Sequence, residues 1–326
     1  MKYLPFLDGK YSTAPGLNLM SKAGPQDQLV FQLDEQYAGF IGNKLDCRKE
    51  DIHKYYVENN LYRNTAIAVN KLIVNQLTKE HPSDFKLSVE NDYTRENDGY
   101  AFENGSYTLH NKRTGKSLQW KDDWINVSAP INVGEGPYIS LFDALCSQVQ
   151  EDIAICQLDN EKDWLAAIHL SAPNHWSPAE KAGKPFGAVH SVVPGMEKLN
   201  QQYMKMLITA IQKGPFFRFA WGIATDLRLN HHPLPPPGVD PTYWQGRKPE
   251  AETDPLYLRV ERQTITGLPG SNAFLFTIRT YFYDVDELEP HEKEALQAAV
   301  ESMSPQSLEY KGLTNTIDIL RNRLCG

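Results

Sequence analysis

The chain has 326 residues, with 33 Lys and Arg against 41 Asp and Glu, which gives a formal charge of −8. Hydrophobic residues make up 41% of it and charged residues 23%, a composition that is typical of folded proteins and excludes wholesale disorder. The acidic balance excludes a general role in coating nucleic acid, because phosphate backbones are bound mainly by Lys and Arg.

The first part of the chain, residues 1–84, is predicted to be a mainly helical lead. Its opening segment lacks the unbroken apolar region of a signal peptide, and no stretch of the sequence reaches the roughly 20 apolar residues that cross a bilayer. We therefore expect a cytoplasmic protein that does not bind a membrane. Residues 58–79 place Leu, Ile and Val at helical spacing, which predicts a helix with one packed face.

Residues 85–286 are predicted to form a sheet with inserted helices. Residues 85–120 are turn-rich and indicate short antiparallel strands, with turns centred at Asn104-Gly105 and Thr114-Gly115. The runs IAICQL and WLAAIHLSAP that follow are of strand length and predict a hairpin.

Further along, Ser177 is a predicted helix N-cap, and a helix is predicted to end at Lys213 before a strand over residues 216–224. Residues 232–241 hold five prolines and predict a stiff extended loop. The runs YLRVERQTI and AFLFTIRTYFYDV alternate well and form the clearest predicted hairpin, and residues 287–326 are predicted to be a helical tail.

These patterns predict an α+β fold class. The predicted strands follow one another without regular crossover helices, which favours a central antiparallel sheet of about five or six strands with helical additions at both ends. No linker separates a second domain, so we expect residues 1–326 to form a single domain.

The sequence lacks the motifs of several common enzyme mechanisms. It contains no GxxxxGK[ST] phosphate loop, no GxGxxG, no GxSxG nucleophile elbow and no HExxH zinc helix. The pair His231-His232 stands beside the proline-rich loop, and we expect it to be solvated rather than metal-binding.

A histidine at the end of a short apolar run is the first candidate for chemistry. His190 follows Phe186-Gly-Ala-Val and lies between Val189 and Val192, where a neutral imidazole can bind a metal while apolar walls exclude water. The alternative is a core histidine that is hydrogen-bonded to a backbone carbonyl, and sequence statistics alone favour this alternative.

Two strands carry unexpected polar residues. Arg218 stands among aromatic residues, and such a charge is costly to bury unless it meets a carboxylate, a phosphate or a cofactor acid group; the alternative is an arginine that extends from an edge strand into solvent. In residues 258–264, strand alternation places Arg259, Glu261 and Gln263 on one face and Arg262 on the other. This pattern suits a strand that lines a polar pocket, with a surface ladder of ion pairs as the alternative.

Five motifs in a fixed order resemble a known family. They are Val149-Gln-Glu-Asp152, Pro173-x-x-Trp176-x-Pro-x-x-Lys181-x-Gly183, Val189-His190-x-x-Val193-Pro-Gly195, Arg218-x-x-Trp221 and Leu258-Arg-Val-Glu-Arg-Gln-Thr264. Together they are similar to the haem-dependent oxidative N-demethylase family, of the α-subunit type of dimethylamine-oxidising enzymes. Each motif alone is weakly specific, whereas their shared order is fairly specific to the family.

The resemblance implies a PAS-like sheet that holds a b-type haem. It implies that His190 binds the iron, with the neighbouring His169 and His175 as the alternative ligands. The arginines would supply propionate contacts or pocket charge, with Arg259 and Arg262 assigned to cofactor binding. The family pattern has asparagine where this chain has Ala220, which bears on the substrate.

The implied activity is oxidation of a small secondary alkylamine with oxygen to formaldehyde and a primary amine. Glu261 would bind the alkylammonium, Trp221 would form an aromatic wall, and Arg218 completes the implied catalytic set. Electrons would come from a separate flavin or iron–sulfur reductase. The alternatives are a haem-binding sensor or carrier without turnover, and a structural or regulatory protein without haem.

Overall fold

The fold is known from a computed structural model of the chain. It describes residues 2–14, 16–96, 99–128, 137–196, 203–246, 249, 251, 253–314 and 316–325, with the backbone alone described in residues 91–96 and 99–104 and at Cys325. No helix in these ranges is both long and apolar enough to cross a membrane.

The helices lie before, between and after the strands. In chain order they are α1 (Tyr37–Tyr55), α2 (Arg63–Glu80), α3 (Leu141–Cys146), α4 (Pro178–Lys181), α5 (Phe186–Val189), α6 (Tyr203–Lys213), α7 (Pro241–Trp244), α8 (Pro290–Glu301), α9 (Pro305–Tyr310) and α10 (Ile317–Cys325). Short 3₁₀ helices occupy Met20–Lys22, Pro25–Gln28 and Pro269–Ser271. Helices α8 to α10 lie in the segment from residue 287 for which the sequence predicts a helical tail.

The strands form two separate sheets. They are β1 (Asn18–Leu19), β2 (Tyr56–Glu58), β3 (Phe85–Glu96), β4 (Gly99–Asn111), β5 (Lys116–Lys121), β6 (Asp152–Asp159), β7 (Lys162–His169), β8 (Phe216–Ala224), β9 (Tyr257–Leu268) and β10 (Ala273–Asp284). The larger sheet has seven strands in the order β1-β8-β9-β10-β6-β7-β2, and its pairings are antiparallel. The mixed α+β class and the antiparallel sheet predicted from the sequence are confirmed.

Strands β3, β4 and β5 form a second, three-stranded sheet, which the sequence did not separate from the first. The turn predicted at Asn104-Gly105 is wrong, because both residues lie inside β4 and pair with Asp92 and Asn91. The register of β3 against β4 shifts between Asp92 and Tyr93, directly beside this position. The turn predicted at Thr114-Gly115 is confirmed between β4 and β5.

Helix α6 packs unusually close to the larger sheet, at Gly267 near the end of β9. A Cβ atom at this glycine would lie 2.0 Å from the carbonyl oxygen of Ile211 in α6. Only a residue without a side chain permits this approach of helix backbone to strand backbone. The contact places the apolar side of α6 over the sheet, with Leu207 and Ala210 buried.

Candidate functional site

A cavity of about 270 Å³ lies between the seven-stranded sheet and the elements that cover it. Strands β6 to β10 form its floor, and α6 and the segment from Asn174 to Met196 form much of its walls. Residues Tyr11 to Thr13 near the start of the chain and Tyr310 and Lys311 near its end complete the lining. Apolar side chains from the sheet are prominent, among them Ala154, Cys156, Leu165, Ile265, Phe274, Phe276 and Ile278.

The polar part of the floor comes from β8 and β9, which pair in antiparallel register. Arg218 lies opposite Gln263, and Ala220 lies opposite Glu261. Because directly paired residues point to the same side of a sheet, these four side chains share the face that lines the cavity. The alternation predicted for residues 258–264 therefore places Glu261 and Gln263 in a polar pocket rather than in a surface ladder.

His190 lines the cavity at the end of α5. Its Nδ1 lies 2.9 Å from the carbonyl oxygen of Phe186, and its ring stacks on the Phe186 ring with centroids 3.9 Å apart. Burial lowers the pKa of His190 from 6.5 to about 4, so the imidazole is neutral near neutral pH. With Nδ1 engaged by a carbonyl, Nε2 is the nitrogen available to a metal, which is the usual arrangement of a ligating histidine.

The other two histidines of this region lie elsewhere. His169 is buried in β7 with its Nε2 3.1 Å from Asp143, and His175 stacks on His231 with ring centroids 5.4 Å apart. Within the described ranges, His190 is the only histidine among the residues that line the cavity.

Arg218 and Lys181 bring positive charge into the cavity. The Nε of Arg218 is buried and has no hydrogen-bonding partner in the described part of the chain, and burial lowers the pKa of this guanidinium. Lys181 ends α4, whose predicted N-cap Ser177 is confirmed by a capping box with Glu180. Its ammonium lies 4.0 Å from the centroid of the Trp176 ring, and burial lowers its pKa to about 8.

Glu261 is the only carboxylate among the described residues that line the cavity. Its Oε2 accepts a hydrogen bond of 3.0 Å from Gln263, and its Oε1 lies 3.9 Å from the Nε of Arg259. The carboxylate is 11% exposed, so its charge is only weakly screened by water.

The two arginines assigned to cofactor binding do not reach the cavity lining. Arg262 lies on the opposite face of β9, where its guanidinium pairs with Asp27 at 3.1 Å and donates to the carbonyl of Leu29. Arg259 shares the face of Glu261, but its terminal nitrogens are bound by backbone carbonyls and by His231. Strand alternation accounts for the position of Arg262, since neighbouring residues face opposite sides.

Trp221, in β8, is also among the residues that line the cavity, although strand alternation turns its side chain to the opposite face of the sheet from Arg218 and Ala220. Its ring packs against those of Phe6 and Tyr11, with centroids 5.5 Å and 5.9 Å away, and its carbonyl accepts a hydrogen bond from Lys311. Trp221 therefore joins the cavity to segments near both ends of the chain.

The prediction that His231 and His232 are solvated is wrong, because both side chains are buried. Sequence reasoning also gave no role to Lys181, although it stands in one of the ordered motifs. For Tyr11 and Lys311 the sequence held no local signal, because only the fold brings them to the cavity.

Among the described residues, no group of three or more His, Cys, Asp or Glu side chains is arranged to hold a metal ion. Comparison with protein families gives one match over most of the chain. Residues 22–320 match the family described as haem-dependent oxidative N-demethylase, alpha subunit-like.

Proposed function

The chain belongs to the haem-dependent oxidative N-demethylase, alpha subunit-like, family, and on this basis we propose that it binds a b-type haem in the cavity and oxidises the N-methyl group of a small secondary alkylamine. The observation that carries the proposal is the setting of His190, a neutral imidazole that lines the cavity with its Nδ1 held by a carbonyl.

The residues of the cavity fit a haem. A haem needs an axial ligand, an apolar slot and cations for its propionates. His190 would be the ligand, the apolar floor from β6 to β10 would face the macrocycle, and Arg218 would hold a propionate. The buried Nε of Arg218, which lacks a partner among the described residues, is the kind of orphaned donor that a carboxylate satisfies.

Glu261 is our candidate for binding the alkylammonium. It is the only carboxylate in the described lining, and a buried carboxylate attracts a cation more strongly than an exposed one. Ala220 faces it across the strands, so the residue opposite the carboxylate is small and apolar. The apolar walls exclude water from the bound amine.

When bound, the haem supplies the redox chemistry with oxygen that side chains cannot supply. In the overall reaction, the methyl carbon is oxidised and its bond to nitrogen breaks, so formaldehyde and a primary amine leave. One atom of molecular oxygen enters the aldehyde and the other becomes water, which requires two electrons and two protons. The alpha-subunit-like family description implies a partner subunit, and we assign the supply of electrons to it as a flavin or iron–sulfur reductase.

We further propose that residues 1–326 form one haem-binding domain around a PAS-like sheet. Its support is the seven-stranded sheet, which takes strands from Asn18–Leu19 through Ala273–Asp284, together with the cavity lining from both ends of the chain.

An absorbance spectrum of the purified protein after haem reconstitution tests the proposal. We expect a Soret band that shifts when dimethylamine is added, and formaldehyde release when reductant and oxygen are supplied. Absence of a Soret band would refute haem binding. A Soret band without formaldehyde from any small N-methylamine would favour the alternative, a haem-binding sensor or carrier.

A further inference from the structure

A line of polar contacts runs from Asp226, just after β8, to the cavity. The Nε2 of His231 lies 2.9 Å from a carboxylate oxygen of Asp226, and its Nδ1 lies 2.8 Å from a terminal nitrogen of Arg259. The Nε of Arg259 lies 3.9 Å from Glu261. Three links therefore connect Asp226 to the carboxylate that lines the cavity.

The donors and acceptors along this line have one consistent arrangement. A guanidinium is always protonated and can only donate, so Nδ1 of His231 accepts from Arg259 and Nε2 donates to Asp226. Burial lowers the pKa of His231, in agreement with a neutral ring. Because the arginine does not release its proton, the line fixes positions and does not carry protons.

His231 is one of the groups that hold the guanidinium of Arg259 in place. The terminal nitrogens donate to the carbonyls of Ala172 at 2.7 Å and Leu229 at 3.2 Å, as well as to His231. Since a guanidinium is planar and rigid, fixing its terminal nitrogens also fixes Nε. Among the described residues Nε has no hydrogen-bonding partner, so Arg259 is kept just short of a close pair with Glu261.

The segments before and after the proline-rich loop are joined around His231. Arg228 donates to Asp226 and to the carbonyl of Trp244, at 2.7 Å and 2.9 Å. Gly246, with φ of +58°, comes so close that a Cβ atom there would lie 2.8 Å from Nε2 of His231. This packing leaves the imidazole little room to turn away from Arg259.

We propose that His231 is a positioning residue for substrate binding: it restrains Arg259 from closing onto Glu261 and so keeps an oxygen of that carboxylate available to the ammonium group of the amine. This inference rests on the proposed function, because it takes Glu261 as the amine-binding carboxylate. Without the restraint, the guanidinium would form a close, two-pronged pair with Glu261 and compete with the amine.

The test compares His231→Leu, His231→Gln and the neighbouring control His232→Leu in the haem-loaded protein. Binding of dimethylammonium chloride is measured by isothermal titration calorimetry, and haem content is measured from the Soret band. His231→Leu should weaken amine binding about tenfold at unchanged haem content. Glutamine should restore most of the affinity, since its amide accepts from Arg259 and donates to Asp226, and His232→Leu should bind like the parent protein.

Combining His231→Leu with Glu261→Gln distinguishes failure of this inference from failure of the proposed function. Glu261→Gln should weaken binding by itself, and adding His231→Leu should then weaken it no further. If Glu261→Gln binds normally, the assigned role of Glu261 is wrong. If Glu261→Gln weakens binding but His231→Leu does not, or if the two losses add, the positioning role is overturned while the proposed function stands.

Should His231→Leu fail to fold, Asp226→Ala provides the same test at a half-exposed position that supports the histidine ring. It should weaken amine binding about threefold, and only when Glu261 is present. Unchanged affinity in this variant would overturn the inference.

Discussion

At the scale of single residues, the charge of the cavity depends on few side chains. The described lining contains the cations Lys181, Arg218 and Lys311 against one carboxylate, Glu261. This excess of positive charge suits a cofactor with acidic groups, whereas a cationic substrate depends on the carboxylate alone. The side chain of Glu261 should therefore affect amine binding and haem binding differently.

The variant Glu261→Gln tests this separation. It keeps the shape and the contact with Gln263 but removes the negative charge, so amine affinity should fall about tenfold while haem content stays constant. Amine titration followed by optical spectroscopy measures the first quantity and the Soret absorbance the second. The exposed Glu161→Gln is the matched control, and loss of haem in Glu261→Gln would contradict the role given to this residue.

His190→Ala should abolish the native Soret band, since it removes the proposed ligand. The apoprotein should still fold, because the side chain lies at a cavity wall and its ring nitrogen Nδ1 bonds only a local group, the carbonyl of Phe186. The Soret absorbance after haem reconstitution shows whether the iron has kept its native ligand, and circular dichroism checks the fold. The exposed His53→Ala should keep the parent spectrum; an unchanged spectrum in His190→Ala would move the ligand to another residue.

At the scale of helices and strands, the sequence predicted the elements with strong local patterns. Strand β8, the hairpin of β9 and β10, and the Ser177 cap all occur where the patterns place them. The edge strands β1 and β2 have two and three residues, too few for a periodic pattern, and the tertiary contacts alone create them.

The residues of the candidate site could likewise be predicted only where the sequence carries a strong local pattern. Alternation correctly grouped Glu261 with Gln263 and separated Arg262, but it could not tell which face of β9 borders a cavity. The burial of His231 was not predicted, because the proline-rich sequence beside it carries no pattern that indicates burial.

Gly267→Ala should disrupt the packing of α6 on β9. The new methyl group would overlap the backbone of Ile211, so the unfolding free energy should fall by about 3 kcal/mol or more. Urea denaturation gives the measurement. Gly270→Ala, in the 3₁₀ helix that follows β9, is the control, because a Cβ there meets nothing within 4 Å and should change stability by less than about 0.5 kcal/mol. Equal effects of the two substitutions would contradict the close packing.

At the scale of the whole molecule, buried charges join distant segments. Glu151, just before β6, accepts a hydrogen bond of 2.7 Å from the backbone of Gln32, and its second oxygen has no partner in the described part of the chain. Burial raises the pKa of Glu151 from 4.5 to about 7. The stability of the fold should depend on pH for this reason.

The sign follows from proton linkage. Between about pH 4.5 and 7 the folded form keeps the proton of Glu151 and the unfolded form releases it, so stability falls as pH rises through this range. The contribution is about 3 kcal/mol in total. Glu151→Gln should flatten this part of the stability profile, measured by urea denaturation across pH. The exposed Glu309→Gln should leave the profile unchanged, and an unaltered slope in Glu151→Gln would refute the assignment.

The cavity wall combines Tyr11 and Thr13 with Tyr310 and Lys311. The first pair is translated long before the second pair. The cavity wall therefore cannot be complete in a nascent chain until both segments have been synthesised. On the proposed assignment, haem finds a complete site only from that point on, and the fraction of loaded protein in a cell depends on the haem that is then present.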